Sequence, residues 1–450
     1  MKLVNKGRTS TTLLTLYGTV YFTRTYLAPA DSKSAEILER DYHCKNIYPL
    51  DEALEITNLP FKISWQAMSL IAREATKANS YADAAVELTR LFGEKISVST
   101  VERVTEFVGN LMFQEQCEQA QKAEDLSKIR SIDARRIRKQ ADDILYIETD
   151  GAMVHVRDKE HVGMTNTEIA HDVSNDDTAG ETKHESGWTE SKHAICFHAR
   201  DIKYYFERPD GSRYSGRFED YLAVIEANEH IKNKKDQTKV LNHKIEQRDC
   251  IGLIGKSDWF QYHMQALAER NDWAYTSTVV ILSDGATWIK TAKDTVFNRK
   301  NVIQILDLFH AKENAGKFAN SVKRTAKARK KLADHYCELI EQGKVEQLLA
   351  ELQPYENVKM KPGVPNLYTY IYNNKDNMDY PRYRKMGLFV GSGAMESANI
   401  YMMQDRMKLP GMRWNVDRGR MMLCLKTHHE SHTWSKVDKV LRTYALGQVA

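Results

Sequence analysis

Two strand-like runs that each lead into an Asp-Gly pair constrain the fold of this chain most strongly. They occupy residues 144–151 and 279–285, and both are apolar and rich in β-branched residues. Runs of this kind, too short for a helix and bounded by turn residues, are typical of buried strands. Because open α/β sheets place their sites at the carboxyl ends of strands, Asp150 and Asp284 become candidate site residues. The alternative is one exposed aspartate in each turn, since Asp-Gly is a common turn dipeptide.

A third carboxylate, Glu396, lies in the segment Gly-Ser-Gly-Ala-Met-Glu-Ser at residues 391–397, where a helix is predicted to begin. Brought together, Asp150, Asp284 and Glu396 would suit a pair of Mg²⁺ ions, because hard cations prefer oxygen ligands. Two such ions, roughly 3.5–4 Å apart, stabilise both the attacking and the leaving oxygen of a phosphoryl displacement. The three residues therefore predict a metal-dependent phosphoryl-transfer site.

Length and composition indicate a soluble protein of several structural units. The 450 residues exceed one ordinary core, and 42% are hydrophobic and 28% charged. The apolar runs are too short to span a membrane, and the first residues have no apolar stretch of signal-peptide length. The six cysteines are far apart and form no Cys-x-x-Cys pair, which favours free thiols over a zinc site. A cytoplasmic location and no membrane partner are expected.

The distribution of charge is more informative than the net charge of +4. Basic clusters at residues 128–139, 323–331 and 406–426 together favour a polyanionic partner, although each could be a solvated helix face. The candidate DNA-binding residues in the last two clusters are Lys323, Arg324, Arg406, Lys408, Arg413 and Trp414. As an alternative, the basic side chains that follow Glu396 could pair with Asp405 and Asp417 on the surface.

The first 140 residues predict two regions. Alternating residues at 11–26 indicate a β-hairpin folded near Gly18, or one long strand, within an N-terminal module of residues 1–60. Residues 61–140 are helical in pattern. Within them, a helix capped by Ser80 and ended by Gly93 is followed by a second helix that contains Arg103. This pair is a helix-turn-helix candidate with Arg103 on the recognition helix, although any helical hairpin has the same pattern.

The order of elements in the remainder predicts an α/β fold with a ribonuclease H-like core. The strand with Asp150 is followed by two more strands, at residues 191–198 and 202–206, which are expected to pair with it. A helical region, the strand with Asp284, a helix and a strand at 301–310 come next, and the helix with Glu396 comes last. The core therefore comprises residues 141–310 and 386–450, and residues 311–385 are predicted to form a helical insertion.

Four segments in this order resemble the DDE transposases of bacterial insertion sequences, and more narrowly their Kra-type and Lre-type families. They are Glu-Thr-Asp-Gly-Ala-Met-Val at 148–154, Ser-Asp-Gly-Ala-Thr-Trp-Ile at 283–289, Leu-Asp-Leu-Phe-His-Ala at 306–311 and the stretch 391–414. The last of them, which begins Gly-Ser-Gly-Ala-Met-Glu-Ser-Ala and ends Pro-Gly-Met-Arg-Trp, is the most specific. The resemblance covers residues 140–425, with a weaker similarity at 15–20 and 48–52.

The resemblance implies a transposase that cuts transposon ends and joins them to target DNA. Asp150, Asp284 and Glu396 would be both the catalytic and the metal-binding residues, holding two Mg²⁺ ions or, alternatively, Mn²⁺. Asp307 and His310 match an Asp-x-x-His element in which the histidine supports the active site or its DNA; the alternative for His310 is a core histidine at a strand end. The implied partner is double-stranded DNA, bound by a homodimer or higher oligomer at the nucleoid of a bacterial cytoplasm.

Two other functions fit the same residues. One is a ribonuclease H-like nuclease that hydrolyses DNA without strand transfer. The other is a helix-turn-helix regulator in which the carboxylates are structural. One departure from the family also matters: relatives often have a Cys-x-x-Cys-like pair near the N-terminus, whereas only Cys44 lies in the corresponding region here. A zinc-stabilised N-terminal module is therefore not expected.

Overall fold

A computed structural model describes residues 1–42, 44–133, 141–164, 185–299 and 301–447. The chain divides into two compact units, Met1–Gln116 with Met402–Ala450, and Cys117–Tyr401. The unit boundaries fall inside the predicted segments 61–140 and 386–450, so this division is coarser than the five segments predicted from the sequence. Within the described ranges, no helix has the length and apolar character needed to cross a membrane. Much of the basic cluster at 128–139 lies outside the described residues.

The first unit begins with the predicted β-hairpin. Strands β1 (Leu3–Thr15) and β2 (Gly18–Pro29) are antiparallel and joined at residues 16 and 17. Gly18 has a φ of +96°, a backbone conformation that favours glycine. The alternating pattern at residues 11–26 is thus confirmed as a hairpin, and its strands are longer than that pattern alone indicated. Two short helices follow, α1 (Ser32–Tyr42) and α2 (Pro49–Ala53).

Three helices continue this unit: α3 (Trp65–Lys77), α4 (Tyr81–Phe92) and α5 (Val98–Asp133). The side chain of Ser80 accepts a hydrogen bond from the backbone N–H of Asp83, and Gly93 ends α4 with a φ of +69°. Both ends of α4 are therefore as predicted. Helix α5 is a single 36-residue helix that passes from the first unit into the second. A DNA-reading role for α4 and α5 stays a prediction.

The second unit is a mixed α/β structure around a five-stranded sheet. Its strands are β3 (Ala141–Val156), β4 (Gly187–His198), β5 (Ile202–Glu207), β6 (Arg213–Gly216), β7 (Lys239–Ile245), β8 (Asp249–Ile254), β9 (Thr276–Ser283) and β10 (Val302–Leu306). The large sheet has the spatial order β10-β9-β3-β4-β8. Strand β3 runs parallel to β9, which runs parallel to β10, whereas β4 is antiparallel to both of its neighbours.

Two strand predictions need correction. Strand β5 does not pair with the Asp150 strand, because it is the middle strand of a separate sheet with the order β6-β5-β7. Its place in the large sheet is taken by β8, in a stretch that the sequence pattern had suggested was mostly helical. Nearly all of β8 is buried, so it lacks the alternation that distinguishes a strand from a buried helix.

Helices complete the second unit. Those between sheet strands are α6 (Phe218–Glu229), α7 (Ser257–Arg270) and α8 (Thr287–Thr295). Five more occupy the predicted insertion: α9 (Leu308–Val322), α10 (Ala326–Glu341), α11 (Val345–Leu352), α12 (Leu367–Asn374) and α13 (Tyr380–Lys385). All residues from 311 to 385 are described, and none of them lies in a strand. The Glu396 helix, α14 (Gly393–Asn399), runs directly into a π-helix at Ile400–Gln404.

The end of the chain returns to the first unit as α15 (Asp405–Met407), α16 (Val416–Glu430) and α17 (Trp434–Ala445). Two side-chain hydrogen bonds hold helix α17 against α3. Ser69 Oγ of α3 donates to Asp438 of α17 and accepts from the indole N–H of Trp434. A Cβ on Gly109 of α5 would lie 2.8 Å from Cβ of Met421 on α16, so only glycine fits there. Residues 402–450 thus complete the core of the N-terminal region.

Candidate active site

Three aspartates lie level with one another across the parallel strands of the large sheet. Thr149 of β3 is paired with Ser283 of β9, and Ser283 is paired with Leu306 of β10. In each strand the next residue is an aspartate: Asp150, Asp284 and Asp307. The parallel register therefore gathers all three at the carboxyl-terminal edge where α/β sheets form their sites.

The sequence predicted that Asp150 ends its strand, but β3 continues past Asp150. The parallel pairing of β3 with β9 stops at Thr149, but its antiparallel pairing with β4 continues to Val156. Asp150 thus occupies the first position of β3 that has lost the β9 neighbour. Asp284 does follow the end of β9, and its carboxylate accepts the backbone N–H of Ala286 at 2.9 Å to form a turn.

Asp307 is fully buried and joins three elements. One of its carboxylate oxygens accepts the backbone N–H of His310 at 2.7 Å, which caps helix α9. The other accepts both the backbone N–H and the hydroxyl of Ser392, at 2.5 and 2.6 Å, at the start of α14. Burial raises the pKa of Asp307, but the adjacent His310 imidazole and these hydrogen bonds outweigh it and lower the pKa to about 2. Asp307 is therefore an ionised anchor for α9 and α14.

Helix α14 lies on the face of β3 and β4 and is held there by polar contacts. The backbone N–H of Met395 donates to the buried Glu148 at 2.9 Å, and one helical turn later Asn399 donates to Asp150 at 3.0 Å. Asn399 Oδ1 lies 2.6 Å from Nδ1 of His193, the β4 residue opposite Asp150. Since an amide oxygen only accepts, this contact assigns a proton to Nδ1 of His193.

The charges at this edge act on one another. Burial raises the pKa of Asp150, and the negative charges of Asp284 and Glu190 add to the rise. The adjacent carboxylate of Asp307 raises the pKa of His310 to about 9, with further contributions from the charges of Asp150 and Asp284. His310 is therefore a cation at neutral pH, with Nδ1 3.4 Å from Asp307.

Glu396 does not join this group as closely as the sequence had suggested. Its side chain is exposed on α14, while its neighbours Met395 and Asn399 face the sheet. Its charge nevertheless adds to the pKa of Glu148, which burial raises most, so Glu396 lies near that buried carboxyl. Among the residues that the structure describes, no three acidic, histidine or cysteine side chains are grouped closely enough to hold a metal ion.

Sequence reasoning missed Glu148, His193 and Asn399. Two signals could have identified two of them. Glu148 precedes Asp150 by two residues in Glu-Thr-Asp-Gly, so both side chains lie on one face of the strand. Asn399 follows Glu396 by three residues, a spacing that keeps two side chains on neighbouring parts of a helix. No local signal identifies His193, which reaches the site only through the pairing of β3 with β4.

The prediction that Arg406 binds DNA is corrected by the structure. It is 2% exposed, and its guanidinium donates to the carbonyl oxygens of Ala75 and Asn79 at the end of helix α3. The rings of Tyr81 and Trp414 flank it, with centroids at 4.9 and 5.2 Å. Arg406 thus satisfies carbonyl groups that the helix end leaves open, and it is not available to phosphate.

Trp414 is also buried, and its indole donates to the carbonyl of Met407 at 3.2 Å. It packs in the core of the first unit and is not exposed for a base to stack on. The other predicted DNA-binding residues, Lys408, Arg413, Arg103, Lys323 and Arg324, are all exposed. Within the cluster at 406–426, however, Arg420 and Lys426 are buried and Arg418 pairs with Glu102 and Glu106. Most of that cluster therefore stabilises the fold.

A charge-removing change at Glu148 should alter how stability depends on pH. Burial raises the pKa of Glu148 to about 8 from its ordinary value of 4.5, so between these values the folded state holds a proton that the unfolded state loses. Stability contributed by that proton is lost as the pH rises through this window. In Glu148→Gln the amide oxygen can still accept the hydrogen bond from the Met395 N–H, but the side chain does not titrate.

We therefore expect the free energy of unfolding of the variant, relative to that of the wild type, to rise by about 1.4 kcal/mol for each pH unit across this window. The melting temperature of both proteins, measured from pH 5 to pH 8, tests this. Glu226→Gln, the same change at an exposed position of α6, is the control and should follow the wild type. Parallel profiles for Glu148→Gln and the wild type would show that Glu148 is ionised in the fold.

No protein-family model matches this chain, and no curated protein has a significantly similar sequence.

Proposed function

We propose that the second unit is a ribonuclease H-like catalytic core and that the protein is a DNA transposase. One observation carries the proposal: the register of three parallel strands sets Asp150, Asp284 and Asp307 side by side at a sheet edge. The sequence of elements adds support. Along the chain, the order is three strands of the large sheet (β3, β4 and β8), helix α7, strand β9, helix α8 and strand β10. This is the order expected of that core, and the helix bearing Glu396 comes later.

The donor chemistry of Asp150 and Asp284 fits a hard divalent cation. Both offer carboxylate oxygens. Burial raises the pKa of Asp150, and the nearby charges of Asp284 and Glu190, which a bound cation would offset, add to the rise. Glu396 is the proposed third ligand, and its exposed side chain is free to change rotamer on α14. When bound, a pair of Mg²⁺ ions would activate the attacking oxygen and neutralise the leaving oxygen of the DNA phosphodiester.

The other residues of the site have supporting roles in this proposal. Asp307 holds the His310 backbone, and the protonated imidazole provides a positive charge for a phosphate oxygen. Asn399 orients the carboxylate of Asp150, and Glu148 fixes the first turn of α14. Exposed cations such as Lys408, Arg413, Lys323 and Arg324 are the proposed contacts to the DNA backbone.

The test is an assay of DNA cleavage and strand transfer by the purified protein. The substrate is a plasmid that carries the DNA flanking the gene, incubated with Mg²⁺ or with EDTA. A transposase should cut at the flanks only when Mg²⁺ is present and should join the freed ends to a second plasmid. Cleavage without joining would support the nuclease alternative. Binding without either reaction, and indifferent to Mg²⁺, would support the regulator alternative.

A further inference from the structure

We propose that the N-terminal β-hairpin binds duplex DNA by laying one of its faces in the major groove. Cross-strand pairing defines that face, because residues directly opposite each other point to the same side. It consists of the pairs Arg8 with Thr25, Ser10 with Thr23, and Thr12 with Tyr21. We call this set the hydroxyl face. The inference deepens the proposed DNA function and rests on it.

The opposite face of the hairpin is covered by its own unit. Thr11 and Leu13 on that face are buried, and Arg24 is paired with Asp51 of helix α2. The hydroxyl face, in contrast, is exposed or half-exposed at every position, and Tyr21 retains 79% of its accessible surface. Its side chains are polar apart from the tyrosine ring, which makes it unsuited to bury against an apolar protein surface.

The charge of the hairpin favours a polyanion as the occupant. Residues 1–29 contain no aspartate or glutamate, and their exposed cations are Lys2, Lys6 and Arg8, since Arg24 is paired with Asp51. Hydroxyl groups and arginine are common donors to DNA phosphates, and a two-stranded β-ribbon fits the width of the major groove. A second copy of the same face would bring Arg8 close to another cation without an acidic partner, so self-association through this face is disfavoured.

The hairpin is also held rigidly enough to present this face. The backbone of Leu14 exchanges hydrogen bonds with Lys62 and Ser64 ahead of α3, at 2.9 Å each. Near the turn, the hydroxyl of Thr19 donates to Glu94 at 2.7 Å, and farther along β2 the backbone of Leu27 pairs with Ile47. A preorganised face loses less conformational entropy when it binds.

The experiment compares the full-length wild type with Arg8→Ala/Tyr21→Ala. Fluorescence anisotropy would measure the dissociation constant for a mixed-sequence DNA duplex at several KCl concentrations. We expect the double variant to bind roughly tenfold more weakly, as the loss of one specific contact implies. Because one phosphate contact is lost with Arg8, the log–log salt slope should also become shallower by about 0.9.

The matched control, Arg40→Ala/Tyr372→Ala, removes one arginine and one exposed tyrosine elsewhere and should bind like the wild type. If the double variant fails to fold, Arg8→Glu and Arg8→Lys separate charge from shape: the first should weaken binding and the second should not. Unchanged affinity and slope in the hairpin variants, or a changed oligomeric state alone, would overturn the inference. A wild type that binds no duplex would refute the proposed function as well.

Discussion

Asp150→Asn and Asp284→Asn should each lower the rate of DNA cleavage roughly a thousandfold, as expected when charge stabilisation of a transition state is lost. Asparagine keeps the size of the side chain and removes the negative charge that would hold a divalent cation. Both residues lie at the carboxyl-terminal edge of the parallel strands, level with each other. The measurement is the initial rate of cleavage of the flanking-DNA plasmid in Mg²⁺.

The same variants should not be less stable than the wild type. The pKa of Asp150 is raised by burial and by the charge of Asp284, so one fewer negative charge relieves unfavourable electrostatics. Melting temperatures equal to or above that of the wild type, together with lost activity, would identify a functional and not a structural role. Asp258→Asn, at an exposed position of α7, is the matched control and should retain full activity. Wild-type rates in either site variant would exclude that residue from catalysis.

Asp307→Ala should be strongly destabilising, by about 3–5 kcal/mol in the free energy of unfolding. The alanine removes the acceptor of the His310 N–H and of both the N–H and the hydroxyl of Ser392, all in a buried setting. The starts of α9 and α14 would lose their common anchor. Urea denaturation followed by circular dichroism, at neutral pH, measures the change.

Ser392→Ala provides the comparison for Asp307→Ala. It removes only the hydroxyl donor and leaves the carboxylate bonded to two backbone N–H groups. We expect a loss of about 1 kcal/mol, the usual contribution of a single hydrogen bond. If Asp307→Ala is no more destabilising than Ser392→Ala, then the carboxylate does not anchor the two helices as its contacts indicate.

The sequence was most informative where a local pattern and a turn residue agreed. The runs before Asp150 and Asp284 are strands, and the alternation near Gly18 is a hairpin. Strand β8 was missed because a strand buried on both faces has no alternation to detect. Strand β3 proved longer than predicted, because its length past Asp150 depends on pairing with β4 and not on its own residues.

Long-range contacts explain the remaining differences at the candidate site. The residues that bury Arg406 precede it by 331 and 327 positions, so its basic neighbours gave no sign of its structural role. His193 and Asn399 likewise meet across 206 positions. Glu148, by comparison, could have been identified from its two-residue spacing to Asp150. Residue type and spacing thus predicted the carboxylates, and the tertiary fold determined which of their neighbours hold them.

The most direct measurement of the central claim is the position of Mn²⁺ in crystals of the protein with its flanking DNA, from anomalous scattering. The expected result is Mn²⁺ bound by the carboxylates of Asp150 and Asp284, with the Glu396 side chain turned inward as a further ligand. If two ions are present, they should be roughly 3.5–4 Å apart, beside a DNA phosphate. Mn²⁺ bound only elsewhere, or DNA bound with no ion between Asp150 and Asp284, would contradict it.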